Sequence, residues 1–330
     1  MKILYIHYIN SDYYNDYMSD LLLHGLREII GENLIDYPGC WYMYSDELKK
    51  RNYDQSKLWG KGFTTQNLLE NYNTIDRENI LNKIKNRYFD LVIYASIRRS
   101  CIFLDEVIKF NNKFIFIDGE DDNFIDSKFS NKSLYFKREL FNQTSAVLPI
   151  NFAIPEKKIA KKIDTEPKNI LAPLIPGRLK TYTYKKEKEY YQMYKKSIFA
   201  LTYKKSGWDC LRHYEIMMNG CIPLFLQLED CPEKTMTKLP KKKLLLLRNK
   251  FENILRCFNP LSIYKKKFLS YKKILHYLST ISFEKKNIES FIYKNPEIFD
   301  LKYDLLDYTK KNLTTKNLGK YIIDCTNIKT

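Results

Sequence analysis

Short unbroken runs of β-branched, aromatic and leucine residues, too brief for buried helices and bounded by polar or turn-forming residues, limit this chain to a small set of folds. They stand at residues 2–9, 89–95, 113–118 and 145–149, and again at 198–203 and 221–226. A strand with one wet face alternates apolar and polar residues, whereas an unbroken apolar run marks a strand covered on both faces, as in a parallel sheet. Helical spacing falls between the runs. Leu21, Leu22, Leu26, Ile29 and Ile30 follow Ser19-Asp20 and stop at Gly31, and further helical stretches lie near 101–111, 187–196 and 209–219. Strand, crossover and strand with right-handed connections predict an α/β chain built from two Rossmann-like domains. Residues 243–247 read as one more strand, residues 40–75 as a long insertion, and the chain from 250 onward as mainly helical.

A chain of 330 residues that is 44% hydrophobic has enough apolar surface for two cores. Pro155, Pro167, Pro173 and Pro176 punctuate a Lys-rich segment that no single helix can span, so the expected domains are 1–155 and 156–330. Charge divides the chain as well. The formal charge of +17 separates into −2 over residues 1–150 and +19 over 151–330, so affinity for phosphates, nucleic acid or anionic lipid belongs to the second part. The Lys runs at 241–243 and 265–267 read as solvated faces. No apolar run reaches the roughly 18 residues of a membrane span, and the start turns polar too soon for a signal peptide. Cys40, Cys101, Cys210, Cys221, Cys231, Cys257 and Cys325 are scattered with no Cys-x-x-Cys pair, which predicts reduced thiols and a cytoplasmic protein.

The richest chemistry lies between Tyr203 and Phe225. There a strand runs into a loop with Gly207 and Trp208, a helix expected to be capped by Asp209 and ended by Gly220, and a second strand. The first amides of a helix are free donors at the positive end of its dipole, which suits a diphosphate. Arg212 and Glu215, three residues apart, share a helix face. A guanidinium that pairs with phosphate would then stand beside a carboxylate able to accept two ribose hydroxyls. The same spacing equally describes a surface ion pair.

The string Arg212-His213-Tyr214-Glu215 followed by Gly220-Cys221-Ile222-Pro223 resembles the C-terminal donor-binding motif of GT-B glycosyltransferases, especially exostosin-like and giant-virus or phage types. Thr314-Thr315-Lys316-Asn317-Leu318-Gly319-Lys320-Tyr321-Ile322 is similar to the closing C-terminal helix of such enzymes. The resemblance implies an N-terminal acceptor domain, a C-terminal nucleotide-sugar domain and a reaction in the cleft between them. It also implies that Glu215 holds the ribose and Arg212 lies near the pyrophosphate, with Gly207, Trp208, Asp209 and His213 around the donor. Retaining members with a Glu-x7-Glu pattern carry an acid where this chain has Gly207, so inversion is the expected outcome.

A second constellation, Asp118-Gly119-Glu120-Asp121-Asp122, closes an apolar strand at the carboxyl edge of the sheet, where ligands bind in such folds. Asp118, Glu120 and Asp121 are candidates for a general base acting on an acceptor hydroxyl. Two other readings are a divalent metal site of Asp-x-Asp type and a solvated turn. Crowding of like charges is expected to raise at least one of these pKa values. Arg178 and Lys180, after Pro176-Gly177, sit where a first loop of the second domain would meet phosphates. Lys137-Arg138 read as a helix surface and His7 as a strand end; Cys210 and His213 alone supply too few ligands for zinc. The absence of Gly-x-Gly-x-x-Gly after the first strand and of a Walker loop argues against dinucleotide oxidoreductases and P-loop enzymes.

These readings converge on a glycosyltransferase that moves a sugar from a UDP- or GDP-sugar to a glycan, lipid-linked or other hydroxyl acceptor. It would require no metal, and its basic part would touch an anionic membrane surface. A DNA-modifying glycosyltransferase differs only in acceptor. A non-catalytic nucleic-acid-binding protein is the rival from another class.

Overall fold

The apolar runs become strands that pair in parallel. A computed structural model describes residues 1–9, 15–251 and 285–327. In it β1 (Ile3–Ile6), β2 (Leu34–Tyr37), β3 (Leu91–Tyr94), β4 (Phe114–Asp118), β5 (Tyr135–Lys137) and β6 (Val147–Pro149) form a parallel sheet in the order β2-β1-β3-β4-β5-β6. A second parallel sheet orders β7 (Asn169–Leu171), β8 (Ser197–Tyr203) and β9 (Ile222–Leu226) as β7-β8-β9. The helices are α1 (Tyr17–Ile30), α2 (Ser45–Leu48), α3 (Ile80–Lys85), α4 (Leu104–Lys109), α5 (Ser127–Ser130), α6 (Glu187–Lys195), α7 (Leu211–Met218), α8 (Lys241–Lys250), α9 (Lys285–Lys294), α10 (Ile298–Asn312) and α11 (Thr315–Thr326). The chain is thus α/β, with two all-parallel sheets consistent with Rossmann-like domains.

The chain forms two units: Met1–Lys157 with Pro232–Thr237 and Leu313–Thr330, and Lys158–Cys231 with Lys238–Asn312. In the first unit every residue of β1 and β3 is buried, as strands covered on both faces require. The core gathers Leu4, Val92, Tyr94, Phe116, Val107 and Ile84 around the sheet. Strand order reverses at β1, so the carboxyl ends of β1 and β3 flank a topological switch point, the usual place for a ligand. Helix α1 packs on α11 almost backbone to backbone. A Cβ on Gly25 would lie 1.8 Å from the Thr315 carbonyl oxygen, and one on Gly319 would lie 2.7 Å from the Gly25 carbonyl carbon. His24 Nδ1 meets Thr315 Oγ1 at 2.8 Å beside this crossing.

Several local expectations are corrected. Helix α1 begins at Tyr17, three residues before Asp20, because the Asp16 carboxylate caps it by accepting from the amides of Met18 and Ser19. Ser19 and Asp20 are buried inside it, and burial pushes the Asp20 carboxyl well above its usual range while the Tyr42 hydroxyl donates to it at 2.6 Å. Residues 243–247 are helical, in α8, with Leu244 and Leu247 inward and Leu246 exposed. Lys137 and Arg138 are not on a helix surface: Lys137 ends β5, Arg138 follows it, and both are buried. The 40–75 insertion consists of one-turn helical segments, with Asp36 at its base gripped by Arg27 at 3.2 Å and Arg77 at 2.8 Å. Among the described residues no cysteine forms a disulfide, and no helix is long and apolar enough to cross a membrane. Cys257 and the Lys run at 265–267 lie outside the described residues.

Candidate functional site

In the second unit, the segments leaving β7 and β8 meet at the carboxyl edge of the small sheet, and α7 starts there. After β7 the chain turns at Pro176-Gly177, where Gly177 takes φ +74° and a Cβ would lie 2.8 Å from the Tyr203 hydroxyl. That hydroxyl, at the end of β8, donates to the Pro176 carbonyl at 2.6 Å. Thr181 Oγ1 accepts from the Ile175 amide at 3.0 Å and donates to the Arg178 carbonyl at 2.7 Å, so the loop that carries Arg178 is closed on itself. Lys180 stands on the exposed side of the same loop.

After β8, residues 204–210 are held from below by His213. This fully buried ring bonds to the Trp208 carbonyl at 2.8 Å through Nε2 and to Thr202 Oγ1 at 2.7 Å through Nδ1. A carbonyl only accepts, so Nε2 carries the hydrogen, and in the neutral ring Nδ1 accepts from the Thr202 hydroxyl. His213 therefore shapes the loop. Gly207, Trp208 and Asp209 are buried in it, and Asp209 accepts the Tyr214 hydroxyl at 2.8 Å. The cap position of α7 is Cys210, one residue after the expected Asp209, and the Cys210 side chain makes no capping bond.

Arg212 and Glu215 do lie one turn apart on α7, yet this is not a solvated face. Glu215 is buried and accepts the Tyr190 hydroxyl at 2.6 Å, and Arg212 Nη2 donates to the Tyr182 hydroxyl at 2.9 Å. Arg212 Nη1 is buried and has no hydrogen-bond partner among the described residues. A buried guanidinium donor without an acceptor is costly in a finished fold, so its natural complement is an acceptor from outside. Burial and the neighbouring Glu215 carboxylate push the Tyr190 hydroxyl well above its usual range, so it stays a donor toward that carboxylate. Beneath these groups lie Ala172, Leu174, Met193, Ala200 and Ile216, an apolar floor that fixes the polar atoms above it.

In the first unit, each of the four acids at 118–122 has its own cation. Asp118 is fully buried and accepts Lys137 Nζ at 2.9 Å and the Tyr135 hydroxyl at 2.6 Å. Glu120 pairs with Arg99 at 2.6 Å, Asp121 with Arg138, and Asp122 with Arg98 at 2.6 Å. The expected upward shift from crowding is therefore overturned for Glu120 and Asp122. Burial alone would raise Glu120, but the Arg99 hydrogen bond and charge hold it below the usual carboxylate range. The Arg98 hydrogen bond does the same for Asp122. Among the described residues no three His, Cys, Asp or Glu side chains gather as a metal-binding set.

Sequence reasoning missed Tyr182, Tyr190 and Tyr203, which hold the cations and the acid of the second unit in place. Among 27 tyrosines only their positions, at the end of β8, in the loop before α6 and within α6, set them apart. It also missed Lys137 as the partner of Asp118. His7, at the end of β1, is buried with Nε2 2.7 Å from Cys40 Sγ, and burial lowers its pKa to about 4, so it is neutral. No protein-family model matches this chain, and no curated protein sequence matches it.

Proposed function

We propose that this protein is a glycosyltransferase of GT-B type that moves a sugar from a UDP- or GDP-sugar to a glycan, lipid-linked or other hydroxyl acceptor. The observation that carries the reading is the buried Arg212 guanidinium, with an unsatisfied Nη1, one helical turn from the Glu215 carboxylate at the carboxyl edge of a parallel sheet. In this reading Arg212 and the first amides of α7 take the negative charge that grows on the departing diphosphate. Glu215 receives ribose hydroxyls, and Arg178 and Lys180 approach the phosphates from the loop after β7. Trp208, held by His213, forms part of the donor wall.

Asp118 serves the fold in this account, since a carboxylate sealed from water and bonded to Lys137 and Tyr135 is badly placed to receive a proton. The base role falls to Glu120 or Asp121, whose side chains are 28% and 58% exposed. The reaction needs no metal, because side-chain cations and a helix terminus face the diphosphate. The +19 charge of residues 151–330 favours an acceptor held at an anionic membrane surface.

The test is release of nucleoside diphosphate from UDP- and GDP-hexoses in the presence of hydroxyl acceptors, with and without excess EDTA. Turnover that persists in EDTA and is lost in Arg212→Met is expected. Turnover abolished by EDTA and restored by Mn²⁺ would refute the metal-free mechanism and favour Asp118 and Glu120 as metal ligands.

A further inference from the structure

A groove of about 310 Å³ opens in the first unit where the segments following the paired strands β3 and β4 approach each other. Arg98, Arg99, Cys101, Asp126, Lys128 and Phe129 are among its walls. Of the charged side chains in these walls three are cations and one, Asp126, is a carboxylate that caps α5 by accepting the Lys128 amide at 2.9 Å. Both arginines are braced. Arg98 Nη1 donates to Asp122 at 2.6 Å, while Arg99 donates through Nε to Glu120 at 2.6 Å and through Nη1 to Asp16 at 3.2 Å. A guanidinium has five N–H donors, so each arginine keeps donors to spare while the carboxylates fix its orientation. Lys128 forms no ion pair among the described residues. Phe124, 56% exposed, lies under the Arg98 guanidinium at 5.3 Å and puts an aromatic face next to the cations.

We propose that this groove binds a small phosphorylated molecule, a sugar phosphate or comparable phosphomonoester, with the phosphate between Arg98, Arg99 and Lys128. Three cationic side chains from two segments suit the three terminal oxygens of a phosphomonoester better than the two of a carboxylate. The volume stands at the low end of the range of about 300 to 1,000 Å³ for small-molecule sites, which fits one sugar-sized group. The site belongs to the first unit and stands independently of the nucleotide reading of Arg212 and Glu215.

The exposed Cys101 thiol is a reporter inside the groove. Its rate of maleimide labelling, located by peptide mass mapping on the full chain, is measured with glucose 6-phosphate, inorganic phosphate, glucose, glucuronate, and potassium chloride at matched ionic strength. Saturating glucose 6-phosphate should slow labelling about tenfold, and inorganic phosphate should do so at higher concentration. Glucose and chloride should leave the rate unchanged. Lys128→Gln, an exposed position whose fold is verified by circular dichroism, should raise the half-protecting concentration about tenfold to a hundredfold, as loss of one charge-assisted bond requires. Unchanged labelling with both phosphates, equal slowing by chloride, or protection that Lys128→Gln leaves intact would overturn the proposal. Equal protection by glucuronate would overturn the choice of phosphate.

Discussion

Replacing Lys137 with methionine separates a structural from a catalytic role for the acids at the end of β4. Lys137 and Asp118 are both fully buried, with Nζ donating to Oδ2 at 2.9 Å. Removing one partner of a buried pair leaves an uncompensated charge and costs about 3 to 5 kcal/mol. Asp118 would retain the Tyr135 hydroxyl at 2.6 Å, the Glu120 amide at 3.0 Å and Arg98 at 3.9 Å, so the lower end, about 3 kcal/mol, is expected. Asp118→Asn combined with Lys137→Met removes both charges, keeps a partner for the tyrosine and should recover more than half of the loss. A chain of two units need not unfold in one transition, so the readout is hydrogen exchange of the β4 and β5 amides. There, about 3 kcal/mol corresponds to roughly a hundredfold faster exchange. Exchange within threefold of wild type in Lys137→Met would refute the anchoring role. An Asp118→Asn variant with full protection and turnover reduced by a factor of about 10³ would instead make Asp118 the base.

Two further outcomes follow from the first unit. Gly25→Ala puts a methyl group 1.8 Å from the Thr315 carbonyl oxygen, which no rotamer relieves, so α11 must shift away from α1 at a cost of about 1 to 3 kcal/mol. Limited proteolysis should then cut before α11 faster than in wild type, and an unchanged rate would contradict the crossing. His7 has a folded pKa of about 4 against 6.5 when unfolded, so its contribution is fully present above pH 6.5 and falls as the pH drops toward 4, by about 3 kcal/mol in all. Glu120 and Asp122, held below 4.5 and 3.8 by their arginines, begin to lose their contributions as the pH falls through those values. Urea titrations at pH 7 and 4.5 on wild type and His7→Gln check this, and an equal drop in both would remove His7 as the cause.

The parts of the fold legible in the sequence were those whose cause is local. Strands β1, β3, β4, β8 and β9 are apolar runs because both faces are covered, and Gly31 closes α1 with φ +65° as a helix end requires. What escaped depends on partners distant in sequence. Strand β2 contains Asp36, acceptable there only because Arg27 and Arg77 reach it, and β5 contains Lys137, acceptable only because Asp118 does. Read alone, a buried lysine looks like a surface residue. The Leu run of α8 satisfies both periods, and the spacing of Leu244 and Leu247 decides for helix only once the floor beneath them exists. Arg212 and Glu215 were visible as a spaced pair, whereas the tyrosines that bury and orient them come from other elements.

Calorimetric titration of the full chain with UDP and GDP tests most directly whether Arg212 and Glu215 build a nucleoside diphosphate site. Saturable binding of at least one of the two nucleotides is expected. Arg212→Met should weaken it about tenfold to a hundredfold, as loss of a charged hydrogen bond requires. Glu215→Gln, which keeps an acceptor for Tyr190, should weaken it by a smaller factor. Neither nucleotide binding to the wild type, or an Arg212→Met variant with wild-type affinity, would contradict it.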